Sequence, residues 1–197
     1  MVQYSSDEEL LNRSWSSIEK KYRSNGRHYH TLQHIDHLIV MAERSKEHIH
    51  HYVSFVLSIL YHDVIYKALR KDNEKKSADF MRVDLKRHSV PKDIIDRCYR
   101  QIMQTQKHQL TDESELDDAL FLDLDLEVLS WPWDDYLNYT RQIRKEYWMY
   151  PSSMYFKGRR IAMQAFLNRP AIYFTEHFRT NYEAKARANL KRELAMI

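Results

Sequence analysis

The sequence has few of the residues that form tight turns. Of its 197 residues, two are glycine and four are proline, whereas average proteins contain about 7% and about 5% of these residues. Tight β-hairpin turns favour glycine, because their central residues take positive φ angles. A sheet protein of this length needs many such turns. The composition therefore favours an all-α fold, and the length suits a single domain.

Cysteine and long apolar segments are also scarce. The only cysteine, Cys98, excludes an intramolecular disulfide and a zinc site made of cysteines alone. A single cysteine fits a reducing compartment, so we expect a cytoplasmic protein. The start of the chain lacks the charged and apolar pattern of a signal peptide. No apolar run reaches the roughly 18–20 residues of a membrane span, and we expect no membrane partner.

Charge of one sign does not dominate the chain. The formal net charge is +3, which permits an anionic substrate but gives no strong nucleic-acid signal. The periodicity of apolar residues predicts about eight or nine helices, and either Ser6 or Asp7 is a suitable cap for the first. The predicted helices cover about 6–22, 31–46, 51–65, 73–88, 91–107, 115–130, 136–150, 153–168 and 178–195. We find no repeat or linker, so the sequence predicts one domain over residues 1–197.

The longest nearly apolar stretch covers residues 52–66, in a chain that is 30% charged. Apolar residues fall on every side of the helix predicted there, so this helix should be buried all round. His62 and Asp63 interrupt the stretch. An ionised carboxylate is rarely buried without compensation. Asp63 therefore either binds a metal ion with His62 as a second ligand, or accepts backbone hydrogen bonds at a helix end.

Other histidines and acids extend this pattern. His30 and His34 lie one helical turn apart, and the apolar run 121–129 contains Asp123 and Asp125. Imidazole and carboxylate ligands suit a divalent ion such as Mn²⁺, Fe²⁺, Zn²⁺ or Mg²⁺, and Co²⁺ and Ni²⁺ remain open. Two histidines and two aspartates would leave open positions for a water and a substrate oxygen.

These residues and their surroundings resemble the HD superfamily of metal-dependent phosphohydrolases. They are most similar to a small bacterial-type family of predicted HD-type phosphohydrolases, and the resemblance covers about residues 8–195. The matching segments are Arg27-His-Tyr-His-Thr-Leu-Gln-His-Ile35, Tyr61-His-Asp-Val-Ile-Tyr66, Asp72-Asn-Glu-Lys-Lys-Ser77, Thr105-Gln-Lys-His108, Leu122-Asp-Leu-Asp-Leu126 and Ile143-Arg-Lys-Glu-Tyr147, followed by Gly158-Arg159, Arg169-Pro170, Ile172-Tyr173 and Ala186-Arg187-Ala-Asn-Leu190.

The resemblance implies a metal site on an HD-type helical bundle, with a core at about 27–130 and a helical C-terminal extension at 131–197. Position by position, it implies four metal ligands, namely His34, His62, Asp63 and Asp125. His30 is the alternative to His34, and Asp123 is the alternative to Asp125. His108 is a candidate for binding a second metal or a phosphate.

One departure from the family concerns the general acid. Many nucleotidase relatives carry a glutamate just after the His-Asp pair, where this chain has residues 64–66 without one. Glu74 is the nearest candidate, and with Asp63 it forms the predicted catalytic pair. The alternative is that Glu74 only compensates the charge of a helix N-terminus.

Phosphate binding needs cationic donors, and arginine can grip a phosphate with two hydrogen bonds. Arg144, next to Arg141 and Lys145 on a tyrosine-rich helix, is the first candidate, and Lys107 is the second. The alternative for the Arg141–Lys145 cluster is a solvated helix face with internal ion pairs.

The sequence thus predicts a metal-dependent phosphohydrolase that cleaves a small phosphate ester, with a nucleotide as one candidate substrate and a homodimer as an open possibility. Two other functions remain. Some HD proteins hold two irons and perform oxygenation, and His30 and His108 leave that open here. Alternatively, the chain is a non-catalytic nucleotide- or partner-binding module with a structural metal.

Overall fold

The computed structural model describes residues 7–197, so Ser6 lies outside the described residues, and Asp7 caps the first helix by accepting a hydrogen bond from the Leu10 amide. In this range the chain forms ten α-helices and two 3-10 helices, with no β-strand, which confirms the all-α prediction. The α-helices are α1 (Glu8–Tyr22), α2 (Leu32–Arg44), α3 (Tyr52–Tyr61), α4 (Asn73–Arg87), α5 (Lys92–Thr105), α6 (Leu116–Asp125), α7 (Trp133–Glu146), α8 (Ser152–Leu167), α9 (Glu176–Asn181) and α10 (Glu183–Leu194), and the 3-10 helices are Lys46–His48 and Glu127–Ser130.

The helix count differs from the prediction of about eight or nine because the last predicted helix is two helices. Tyr182, between α9 and α10, has φ −123° and ψ −27°, which interrupts the regular helix. Its ring stacks on Phe178, with centroids 4.6 Å apart. None of the described helices is long and apolar enough to cross a membrane.

The chain divides into two compact units, residues 1–121 and 122–197, with the boundary inside α6. We refer to them as the first unit and the second unit. The predicted single domain, with its core at about 27–130 and its extension at 131–197, stays a prediction.

Helix α3 is the centre of the first unit, as its all-round apolar pattern predicts. No residue of α3 is exposed, and Phe55, Ile59 and Tyr61 are completely buried. The helix packs against α2, α4 and α5. Its buried serine Ser58 lies within hydrogen-bonding distance of the Ser54 carbonyl oxygen and of Gln101 Oε1 (2.8 and 2.6 Å), so this polar group is satisfied without water.

Each end of α3 is held by a buried carboxylate. At its start, Asp117 accepts hydrogen bonds from the backbone N–H groups of His50 and His51, at 2.9 and 2.7 Å. At its end, the Tyr61 hydroxyl donates to Asp84 at 2.7 Å, and Ser14 of α1 donates to the same carboxylate at 2.8 Å. Burial, followed by the charge of Asp84, raises the pKa of Tyr61, so this hydroxyl stays a donor.

The second unit contains its own buried ion pair. Arg159 of α8 donates two hydrogen bonds to Glu193 of α10, at 2.8 and 2.9 Å, and the buried Tyr136 hydroxyl of α7 also donates to Glu193. Three helices therefore meet at one carboxylate. The apolar side chains Tyr173, Phe178 and others are buried in the same unit.

We expect Asp117→Asn to lower the free energy of unfolding by about 1–3 kcal/mol, because the buried amide would turn one N–H donor towards a backbone N–H group that the carboxylate now accepts from. Urea unfolding monitored by circular dichroism measures this change. The matched control is Asp112→Asn, which removes an exposed carboxylate from the preceding loop and should change stability by less than about 0.5 kcal/mol. Equal stability of both variants would show that Asp117 does not hold the start of α3.

Candidate metal centre

Three of the predicted ligand side chains converge in the first unit. One ligand atom each from His34, His62 and Asp63 lies within 4.8 Å of the other two. The Nε2 atoms of His34 and His62 are 3.3 Å apart, and His62 Nε2 is 3.1 Å from Asp63 Oδ2. The two imidazoles are buried, with 6% and 1% exposure, while the Asp63 side chain keeps 16%. The cluster is therefore enclosed but open to solvent on its carboxylate side.

The end of α3 makes this convergence possible, and here the predicted helix 51–65 is wrong. The regular helix ends at Tyr61, His62 is its C-cap, and Asp63 lies in the following turn. Adjacent side chains on a continuous helix diverge by about 100°. Because the chain turns after His62, the two side chains instead face the same point.

Two polar side chains of α4 hold the chain after this turn. Ser77 Oγ accepts from the Ile65 amide at 3.0 Å and donates to the Ile65 carbonyl at 3.1 Å. The Asn73 amide side chain pairs with the backbone N–H and carbonyl of Lys67, at 3.0 Å each. These four hydrogen bonds tie the segment 72–77 to the chain that follows the His-Asp pair.

The protonation of His62 fits a metal ligand. Its Nδ1 lies 2.8 Å from the Ile59 carbonyl oxygen. A carbonyl only accepts, so Nδ1 carries a proton, and Nε2 is the ring nitrogen that faces the cluster. Metal-bound histidines are commonly oriented in this way. A donor set of two imidazole nitrogens and a carboxylate oxygen suits a divalent ion, and these residues could hold one.

His30 lies beside the cluster. Its Nε2 is 3.8 Å from Asp63 Oδ2, and its ring stacks on Tyr66 with centroids 4.1 Å apart. His34, in contrast, contacts His62 directly. This geometry favours His34 as the ligand and leaves His30 as the alternative or as a ligand for a second ion.

Asp123 has a different environment from Asp63. Its carboxylate accepts hydrogen bonds from the N–H groups of Phe174 and Thr175, both at 2.7 Å, and from the Thr175 hydroxyl at 2.6 Å. Burial raises the pKa of Asp123 to about 6, although these three donors act in the opposite direction. Engagement of both oxygens favours Asp125 over Asp123 as the ligand. Asp125, at the end of α6 in the second unit, stays a predicted fourth ligand.

Glu74 is electrostatically linked to the cluster. It is the second residue of α4 and is partly buried. The pKa of Glu74 is raised overall, chiefly by burial and also by the charge of Asp63. A hydrogen bond from its own backbone amide and the charge of His108 lower the pKa and offset part of this rise. Asp63 and His108 therefore both act on Glu74 within the first unit. His108 has a positive φ of 46° in the turn after α5.

The two predicted phosphate-binding cations have different surroundings. Arg144 donates to the carbonyls of Tyr147 and Tyr150, at 2.8 and 3.1 Å, and to Ser152 Oγ at 3.2 Å. These contacts tie the end of α7 to the start of α8 and favour a structural role for Arg144. Lys107 is exposed and lines a groove of about 700 Å³ between α5 and the 106–113 segment, a groove that does not include the histidine cluster.

Sequence reasoning assigned no role to Arg27. The structure shows its guanidinium donating to the backbone carbonyls of His30, Asp63 and Val64. The only signal in the sequence was its membership of the first matching segment. Every residue has a backbone carbonyl, so the identity of the accepting residues does not reveal such hydrogen bonds.

No protein-family model, curated protein or solved structure matches this chain. Membership of the HD superfamily therefore stays a prediction from the motifs. The case for a metal centre rests on the geometry of His34, His62 and Asp63.

We expect Ser77→Ala to lower the free energy of unfolding by about 1–3 kcal/mol, because it removes the partner of both backbone groups of Ile65. Urea unfolding measures the loss, and hydrogen exchange should show faster exchange of the Ile65 amide. Ser16→Ala, at an exposed position of α1, is the control and should leave both values nearly unchanged. Unaltered Ile65 exchange in Ser77→Ala would contradict the role of Ser77 in holding the turn.

Proposed function

We propose that this chain is a metal-dependent phosphohydrolase acting on a small phosphate ester, with a nucleotide as one candidate substrate. The observation that carries the proposal is the convergence of His34, His62 and Asp63 within 4.8 Å. The orientation of His62 supports it further, because the Nδ1 contact with the Ile59 carbonyl leaves Nε2 facing the other two ligands. The buried free thiol of Cys98 is compatible with the cytoplasmic location that we also propose.

His34, His62 and Asp63 would hold a divalent ion, with Asp125 as the predicted fourth ligand. Such an ion, when bound, lowers the pKa of a water ligand and polarises a phosphoryl oxygen. The first unit would thereby gain a nucleophile for attack on phosphorus. The carboxylate side of the cluster is the more exposed side, so substrate would enter there.

Two carboxyl groups divide the proton transfers. Asp63 would hold the ion, and its carboxylate would accept a hydrogen bond from the attacking water. Glu74 has a pKa above its usual value, because burial and the charge of Asp63 disfavour its ionised form. In this proposal Glu74 would donate a proton to the leaving oxygen, as a general acid does. Lys107, in the turn that also carries His108, stays the predicted source of positive charge for the phosphate.

A di-iron oxygenase is the second candidate. It is favoured by one observation, the additional imidazole of His30 at 3.8 Å from Asp63 Oδ2. A second iron would require His30, His108 or both as further ligands. A non-catalytic module with a structural ion is the third candidate, and it uses the same three residues without turnover.

We expect the native protein to contain a divalent ion and to hydrolyse phosphate esters, and His62→Ala to lose both. The test measures metal content without a histidine tag, then hydrolysis of a nucleotide panel and a chromogenic phosphate ester after chelation and addition of Mn²⁺, Co²⁺, Ni²⁺ or Mg²⁺. Loss of a ligand should weaken binding by more than the roughly 10–100-fold that loss of an outer partner costs. His48→Ala, at a side chain with 73% exposure, is the control.

The other outcomes identify the alternatives. Two irons per chain without hydrolysis would replace the proposal with the oxygenase. One tightly bound ion without turnover of any substrate in the panel would indicate a structural metal. Absence of metal binding in the native protein would reject the metal centre.

We expect Glu74→Gln to lower kcat by about 10²–10⁴-fold while metal affinity stays unchanged, because glutamine cannot transfer a proton. A general acid acts in its protonated form, so the native kcat should fall as pH rises through the pKa of Glu74, and the variant should lack this limb. Steady-state kinetics against pH measure both effects. The control is Glu47→Gln, at an exposed glutamate. A native kcat in Glu74→Gln would assign Glu74 to helix N-terminal charge compensation alone.

A further inference from the structure

Arg27 joins the two segments that carry the candidate ligands. Its Nη1 donates to the His30 carbonyl at 2.9 Å and to the Asp63 carbonyl at 2.8 Å. Its Nη2 donates to the Val64 carbonyl at 3.0 Å. One guanidinium therefore bonds the chain immediately before α2 and the turn immediately after α3.

The donors of Arg27 are used within the protein. Its Nε also donates, to Ser24 Oγ at 3.3 Å. At least four of its five N–H groups are therefore directed at this chain. A cation that binds substrate phosphate needs its paired N–H groups free for that anion. The contacts of Arg27 instead suit a fixed structural position beside the site.

Aromatic rings keep the guanidinium in place. Its carbon lies 4.9 Å from the centroid of Tyr22 and 5.6 Å from that of Tyr66. The Tyr22 hydroxyl donates to the Leu60 carbonyl at 3.0 Å, and His30 stacks on Tyr66. The planar group is thus held both by its hydrogen bonds and by the residues around it.

The segment held by Arg27 leads directly into the helix of His34. Thr31 caps α2 by accepting from the Gln33 amide at 3.3 Å, so the start of the helix follows the position of residues 27–31. His34 lies on the first turn of α2, and its Nε2 is 3.3 Å from His62 Nε2. A shift of residues 27–31 relative to the turn would change this separation.

We propose that Arg27 is the positioning residue of the metal centre, setting the distance between His34 and the His62-Asp63 pair through the backbone carbonyls of His30, Asp63 and Val64. This inference rests on the proposed function, because it concerns the same three ligands. Lysine is a poor substitute, because its single ammonium group cannot reproduce the planar fork that reaches three separate acceptors.

The test is Arg27→Lys, which keeps the charge, with metal binding as its readout. Titration of the metal-free protein with Co²⁺ gives both a dissociation constant and a visible absorption spectrum that reports ligand geometry. We expect Arg27→Lys to weaken Co²⁺ binding by about 10–100-fold and to alter the spectrum. Arg23→Lys is the matched control, because the Arg23 side chain is 69% exposed and pairs with Glu19 of its own helix. This control should bind Co²⁺ as the native protein does.

A second variant covers the case in which Arg27→Lys does not fold, as judged by thermal unfolding of the metal-free form. Tyr66→Leu removes one ring beside the guanidinium and leaves every acceptor of Arg27 in place. We expect it to weaken Co²⁺ binding by a smaller factor than Arg27→Lys, in the same direction. Unchanged affinity in Tyr66→Leu would then overturn the inference.

The remaining outcomes separate this inference from the proposed function. Native Co²⁺ affinity and spectrum in a folded Arg27→Lys, with a raised KM and an unchanged kcat, would overturn the positioning role and assign Arg27 to the substrate, while the phosphohydrolase proposal stands. Failure of the native protein to bind Co²⁺ would overturn both.

Discussion

The first unit brings two buried imidazoles and a partly buried carboxylate together at the end of its most buried helix. Groups of this kind are costly to remove from water unless each finds a partner. In this structure the compensating partners are neighbouring groups. The Ile59 carbonyl accepts from His62 Nδ1, and His62 Nε2 lies 3.3 Å from His34 Nε2 and 3.1 Å from Asp63 Oδ2. A divalent ion would satisfy all three ligand atoms at once.

The surrounding helices restrict the backbone that carries these groups. Asp84 receives hydroxyl donors from α1 and from Tyr61, the last residue of α3. Ser77 and Asn73 of α4 bond the backbone of Ile65 and Lys67, which follow the turn. Arg27 donates to the backbone carbonyl of Asp63, within the turn itself. The polar contacts thus fall on both sides of His62 and Asp63, so the turn has little freedom to move its side chains apart. Preorganisation of this kind is what a metal centre requires of its outer partners.

Two acids in apolar stretches show how far a sequence pattern can be interpreted. Asp63 and Asp123 look alike in the sequence, since each lies within an apolar run. Asp63 faces two histidines, whereas Asp123 holds the N-terminal end of α9 through Phe174 and Thr175. Both are compensated, as the cost of burial demands. The kind of compensation depends on which distant residues the fold brings close, and this is not encoded in the neighbours of either acid.

The sequence by itself determined the all-α class, the positions of most helices and the burial of α3, because these follow from composition and from local periodicity. The resemblance to the HD superfamily is what singled out His34, His62 and Asp63, the three residues that meet at the end of α3. Only the tertiary structure decided that α3 ends at Tyr61, that the last predicted helix breaks at Tyr182, that Arg144 bonds backbone carbonyls and that Arg27 joins two segments. Arg27 contacts residues that are 36 and 37 positions away in the chain. Both arginines bond backbone carbonyls, which every residue shares, so the identity of the accepting residues does not reveal these contacts. A periodic pattern of apolar residues indicates which face of a helix is buried. It does not indicate which other helix packs against that face.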